Sequence, residues 1–135
     1  MKIESYSYDG SEESKKTYEM LKSWAPEDFS IPGLIPKLGV IVYEDDQALV
    51  FMAADMSNSI PRAIIDSLQT NPAVPAMKRF RAVKLAESFL CEELKRLGYS
   101  LVVAHTKLAG VACLSQNCGY CVVPEGVSVV YKSIA

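Results

Sequence analysis

Four cations crowd the start of one helical stretch. Lys78, Arg79, Arg81 and Lys84 precede the acids Glu87, Glu92 and Glu93. The helix dipole favours the opposite order, by about a few tenths of a kcal/mol or more per charge. A cationic helix start with unpaired N–H groups suits an anion, above all a phosphate. The same side chains would also serve as a plain solvated face, and the residues alone leave both open.

Proton transfer has two candidates. Asp66 lies in the middle of an apolar run. Beside a cleft, burial would raise its carboxyl and fit it to act as a general base toward an amine. On a solvated face it would be an ordinary strand acid. His105, the one histidine, follows an apolar strand at its carboxyl end, where ligands gather in open α/β sheets. Its imidazole titrates in the range base work needs, and a structural role is the alternative. Glu44 borders a turn and is expected to be solvated.

The four cysteines are Cys91, inside a helical pattern, and Cys113, Cys118 and Cys121, the last two forming a CxxC. Zinc would need His105 and Cys113 as its remaining ligands. A disulfide would suit a secreted chain. Reduced thiols packing as small apolar residues are the expectation, with no bound metal. Cys113 has no adjacent cation to activate it as a nucleophile.

These residues need a scaffold. Lys2 to Tyr8 reads as a strand. Ser11 to Trp24 reads as a helix, with Ser11 as N-cap, Glu12 and Glu13 in the first turn and Lys22 near the end. Ala25 to Lys37 carries Pro26, Pro32, Gly33 and Pro36 and reads as a thirteen-residue loop, long enough to cover part of a site. Gly39 to Glu44 and Gln47 to Ala54, joined by Asp45-Asp46, form an antiparallel hairpin. Arg62 to Leu68 is a further strand. A long helix follows, Pro75 to Leu97, with Val83, Ala86, Leu90, Leu94 and Leu97 on one face and Gly98 as its stop. Glu92 and Arg96 are placed to pair within it. Tyr99 to Ala104 is a strand, Leu108 to Asn117 a short helix, and Tyr120 to Val123 with Val127 to Ile134 a closing hairpin.

The segment from Arg62 to Ala104 is therefore a βαβ unit, whose strands should be parallel. The flanking hairpins must be antiparallel. The expected fold class is α/β, a mixed sheet with flanking helices and a central parallel strand pair linked by the long helix.

Composition fits a single domain over residues 1–135. Half the residues are hydrophobic, enough for one sizeable core. Fourteen basic against sixteen acidic residues leave a net charge of −2, which argues against a nucleic-acid partner held through phosphates. No apolar run reaches the ~20 residues of a membrane helix, so no membrane partner is expected. The first residues lack a signal pattern, and a cytoplasmic location follows as the default.

From Leu38 onward the chain resembles the GNAT superfamily of acyl-CoA-dependent N-acetyltransferases, in particular small divergent members encoded by tailed bacteriophages. The resemblance rests on the strand with Ile64, Asp66 and Leu68 running into Thr70-Asn71-Pro72. It rests also on the helix ending Leu97-Gly98-Tyr99 and on the pair Gly119-Tyr120 before the last hairpin.

That resemblance implies a GNAT-like fold in which the two parallel strands splay. The pantetheine arm of acetyl-CoA, or another acyl-CoA, would lie in the splay against backbone at Leu68 and Thr70. The pyrophosphate would sit on the following helix start, in a loop of the form Gln/Arg-x-x-Gly-x-Gly/Ala. The matching stretch here is Met77-Lys-Arg-Phe-Arg-Ala82. Ala82 fits, Phe80 stands at the glycine, and Lys78, Arg79 and Arg81 supply charge instead. The family's proton-donor tyrosine is replaced by Ser115, and the usual asparagine of the short helix by Leu108.

The implied function is transfer of an acetyl group to an amine acceptor, with Asp66 or His105 taking the proton and no covalent enzyme intermediate. The alternative is a non-catalytic protein of the same fold that binds a host or virion protein, or pairs as a homodimer through its final hairpin. A zinc-binding module built on His105, Cys113, Cys118 and Cys121 is a third reading.

Overall fold

A computed structural model describes residues 1–27, 29, 32–106, 119–123 and 128–134. The elements run β1 (Lys2–Tyr6), α1 (Glu12–Trp24), a 3₁₀ turn (Pro32–Leu34), β2 (Leu38–Glu44), β3 (Gln47–Met56), β4 (Arg62–Thr70), α2 (Ala76–Arg96), β5 (Leu101–Thr106), β6 (Cys121–Val123) and β7 (Ser128–Ser133). The short helix expected at Leu108 to Asn117 lies outside the described residues.

The strands form one sheet in the order β1-β2-β3-β4-β5-β7-β6. β4 and β5 are parallel, in register from Arg62↔Leu101 to Ile65↔Ala104, with α2 between them in sequence. Every other neighbouring pair is antiparallel. The mixed sheet and its central parallel pair are those expected from the βαβ spacing.

Strand alternation divides the core between the two faces. Val40, Val42, Val50, Met52, Ala54, Ala63 and Val102 pack against Ala82, Val83, Ala86, Leu90 and Leu94 of α2. Ile41, Phe51 and Ala53 pack against Tyr18 and Leu21 of α1. Phe29 plugs that second layer, its ring 5.9 Å from that of Phe51, and its carbonyl accepts the Tyr18 hydroxyl. The proline-rich stretch is thus anchored by a buried aromatic and carries a 3₁₀ turn, rather than being irregular throughout.

Local signals account for the helix ends. Ser11 Oγ accepts the Ser14 N–H at 3.1 Å. At the end of α2, Tyr99 N–H bonds the Leu94 carbonyl and Gly98 N–H bonds that of Lys95, both at 3.0 Å, with Gly98 at φ +94°. This is the Schellman arrangement, which glycine adopts without steric cost. The expected Glu92–Arg96 pair does not form. Arg96 Nη2 reaches Glu93 Oε2 at 2.7 Å instead, because an i, i+3 partner lies equally within reach on a helix surface.

Candidate functional site

The sheet opens between β4 and β5. Their last shared rung is Ile65↔Ala104, yet β4 continues to Thr70 and β5 to Thr106. Beyond that rung the β5-facing edge of β4 has no strand partner among the described residues. On its other edge β4 stays paired with β3 to Val50↔Thr70. The ladder there slips between Ala53↔Ser67 and Ala54↔Ile65, leaving Asp66 as the extra residue of a β-bulge. Bulges bend a strand and re-aim a side chain, and they recur beside active sites.

Asp66 and His105 are therefore the first residues past the fork on their respective strands. Asp66 is exposed. Partial burial against its strand neighbours, reinforced by the Asp55 carboxylate, raises its carboxyl above the ordinary aspartate value. His105 is in register with Val129 of β7 on the side away from the fork.

The end of β4 leads directly to α2. Asn71 ties this junction down: its Nδ2 donates to the Ala48 carbonyl and its backbone N–H to that of Leu49, both at 2.9 Å. Pro75 is the N-cap, with no side-chain capping bond, and no acid occupies the first turn. Arg79 Nη1 donates to Thr70 Oγ1 at 3.1 Å, joining the helix start to the tip of β4. Arg79 Nε is buried and has no hydrogen-bond partner among the described residues.

The other expected phosphate-binding residues divide. Lys78 Nζ is engaged by Glu44 Oε2 at the end of β2. This hydrogen bond holds the Glu44 carboxyl below its ordinary value. Arg81 is exposed and makes no ion pair among the described residues. Lys84 sits over the Phe80 ring, 5.6 Å from its centroid. Met77 projects into solvent.

Met77–Ala82 is helical from Ala76, in line with the helix expected over Pro75 to Leu97, and lacks the glycines of the loop pattern that the resemblance aligns with it. Ala82 is fully buried in the core beneath α2. As the seventh helical residue it lies past the first turn, so its N–H is not among the unpaired donors. Leu68 and Thr70, both half-buried, do lie on the open stretch of β4.

Glu44, expected to be solvated, was the residue hardest to see in sequence as a partner for Lys78. Only the meeting of the end of β2 with the start of α2 brings them together. A second group went unnoticed on the other side of α2. Buried Glu87 accepts the Cys91 thiol at 3.0 Å and the Lys132 ammonium at 3.0 Å, and Lys132 lies over the Tyr120 ring. Burial first, then Glu87, pushes the Cys91 thiol up to about 12. Cys113, Cys118, Ser115 and Leu108 lie outside the described residues, so the zinc reading falls largely there. Among the described residues no cluster of His, Cys, Asp or Glu could hold a metal. No described helix is long and apolar enough to cross a membrane.

The whole chain superposes on solved acetyltransferases. One is an aminoglycoside 6'-N-acetyltransferase complexed with coenzyme A, with TM-score 0.75 and 13% identity over 100% of this chain and 98% of that one. Another is assigned to the GNAT family in Desulfovibrio desulfuricans, with TM-score 0.75 and 10% identity over 99% of each chain. The fold is the GNAT fold. The Escherichia coli ribosomal-protein-S18-alanine N-acetyltransferase shares it too, with TM-score 0.73 and 11% identity over 99% of this chain and 94% of that one. No family model matches the sequence, and no curated protein matches it by sequence. Within this fold the start of α2 is joined to the open end of β4 by the Arg79–Thr70 hydrogen bond.

Proposed function

We propose that the protein is an acyl-CoA-dependent N-acyltransferase that moves an acetyl group onto an amine. The observation that carries this is the fork. It places Asp66 and His105 at its base, the open edge of β4 along its side, and the Arg79–Thr70 bond at its tip. The GNAT fold, seen also in a neighbour crystallised with coenzyme A, supports the same reading.

The residues present fit an acyl-CoA by charge more than by a glycine cradle. Arg79 keeps a buried Nε donor with no partner among the described residues, and the α2 start has neither an acid nor a side-chain cap. Lys78, Arg79 and Arg81 would hold the phosphates. Backbone at Leu68 and Thr70 would hold the pantetheine arm, while Ala82 acts only as packing that sets the helix close to the sheet. The bound thioester supplies an activated acyl carbon. Asp66, with its raised carboxyl, takes the proton an amine must lose to become a nucleophile, and His105 is the second base candidate. Backbone N–H groups between Leu68 and Thr70 would stabilise the oxyanion.

The same reading makes the chain a small divergent member of the kind tailed bacteriophages encode, working in the cytoplasm without nucleic-acid or membrane partners. β6 is the outermost strand at one end of the sheet, which supports pairing with a second copy. A non-catalytic protein of the same fold, acting by binding a host or virion protein, is favoured by one observation: Phe80, held under Lys84, occupies the position where the resemblance implies glycine. Calorimetric titration with acetyl-CoA, followed by acetyl transfer to an amine panel, separates the two. Binding with turnover supports the enzyme, binding without turnover the second reading, and the absence of binding removes the first.

A further inference from the structure

The contact between Lys78 and Glu44 crosses from the first turn of α2 to the end of β2. Both side chains keep solvent access, at 44% and 30% of their full exposure, so the pair can open without unpacking the core. Ion pairs of this kind contribute little to stability, which makes the exchange of one anion for another inexpensive. The N-terminal ammonium and then Arg81 also act electrostatically on Glu44, each more weakly than Lys78. Two of the three cations at the helix start thus already feel one carboxylate.

Glu44 leads into a turn, Asp45-Asp46, in which both residues adopt positive φ, 49° and 63°. Asn or Gly more usually fills such a turn. With Glu4, these acids line a surface hollow of about 650 Å³ beside Glu44. Lys2, paired with Glu4, and the N-terminal Met1 line the same hollow, so Glu44 stands at the edge of a wall of mixed charge.

We propose that Glu44 is a built-in competitor for the phosphates of the acyl-CoA, occupying Lys78 until the ligand displaces it and thereby setting the protein's affinity for that ligand. The inference rests on the acyl-CoA reading and assigns a residue outside the helix start to control of that site. Glu44 acts through Lys78 and is a positioning residue, not a catalytic one. When a phosphate takes Lys78, Glu44 is left facing water, where a carboxylate is well solvated.

The test is calorimetric titration of the full chain with coenzyme A at low salt. It compares wild type, Glu44→Gln, Lys78→Met and the double variant Glu44→Gln/Lys78→Met, with circular dichroism to check folding. Glu44→Gln should bind about two- to fivefold more tightly than wild type, the range expected for release of one exposed ion pair. The gain should shrink as salt rises, and it should vanish in the Lys78→Met background. If wild type binds and Glu44→Gln binds equally or more weakly, Glu44 is no competitor and the inference is overturned. A gain that persists without Lys78 also overturns it, since Glu44 would then act by bulk charge alone. If none of the four proteins binds coenzyme A, the acyl-CoA reading itself falls, and the inference with it.

Discussion

Asp66 and His105 stand one residue beyond the Ile65↔Ala104 rung, at the point where β4 and β5 part. The parallel register would pair them if the strands stayed together. They separate instead, with Asp66 set in a bulge against β3. Asp66 and His105 thus lie on neighbouring strands at the base of one opening.

Removing the working base should lower the acetyl-transfer rate by roughly 10²–10⁴. Asp66→Asn and His105→Ala, measured against an amine panel, assign the role. Turnover that survives both changes refutes it.

Asp66→Asn should also separate activity from stability. The native carboxyl is raised above its unfolded value, so the folded state binds its proton more readily. The stability this brings is present at low pH and declines as pH rises through the window between the unfolded and folded values. Above that window the charged Asp66 is unfavourable beside Asp55. The variant should therefore be no less stable than wild type at neutral pH, by denaturant melts, while losing activity. A clear loss of stability at neutral pH contradicts the raised carboxyl.

Charge reversal at the start of α2 should abolish the electrostatic part of ligand binding. Arg79→Glu/Arg81→Glu should weaken coenzyme A binding, with the loss largest at low salt, because exposed charges are screened beyond the Debye length. Equal binding by wild type and variant would place the phosphates elsewhere.

The sequence order made the βαβ unit, the hairpins and both helices legible because each rests on local periodicity. The Val83–Leu90–Leu94 face and the glycine stop at Gly98 need no distant partner to be recognised. Asp66 was legible as a residue type, but its bulge was not, since the slip depends on how Ala53 and Ala54 meet β4. Lys78–Glu44 and Glu87–Lys132 join residues far apart in the chain, and no spacing rule announces them. The helix over Met77–Ala82 was legible from its own residues, good helix formers without glycine, although the resemblance aligns a glycine-containing pattern there.

Two glycines should respond differently to alanine. At Gly39 an added Cβ would lie 2.8 Å from the Tyr6 carbonyl oxygen and 2.9 Å from Phe51 Cε2, so β1 or the core must shift. At Gly98 nothing lies within 4 Å, and the strain is only that of φ +94°. Gly98→Ala should cost about 1–2 kcal/mol, and Gly39→Ala distinctly more, as overpacking against backbone does. Urea melts giving the reverse order would show that β1 yields freely.

The Glu87 cluster yields the last prediction. Glu87 is buried and accepts from both Cys91 and Lys132. Lys132→Met removes the ammonium and leaves a carboxylate in the core with the Cys91 thiol and the Tyr120 hydroxyl as its remaining neighbours. Leaving a buried charged acceptor without its counter-ion costs about 3 kcal/mol or more. The double change Glu87→Leu/Lys132→Met removes both charges and should recover much of that loss, because a paired charge replaced by apolar groups is often near neutral. The same burial keeps Cys91 protonated, so alkylation with peptide mapping should modify exposed Cys121 in the native protein and Cys91 only after unfolding. If Lys132→Met proves as stable as wild type, and Cys91 is alkylated as fast as Cys121, β7 is not held to α2 through this cluster.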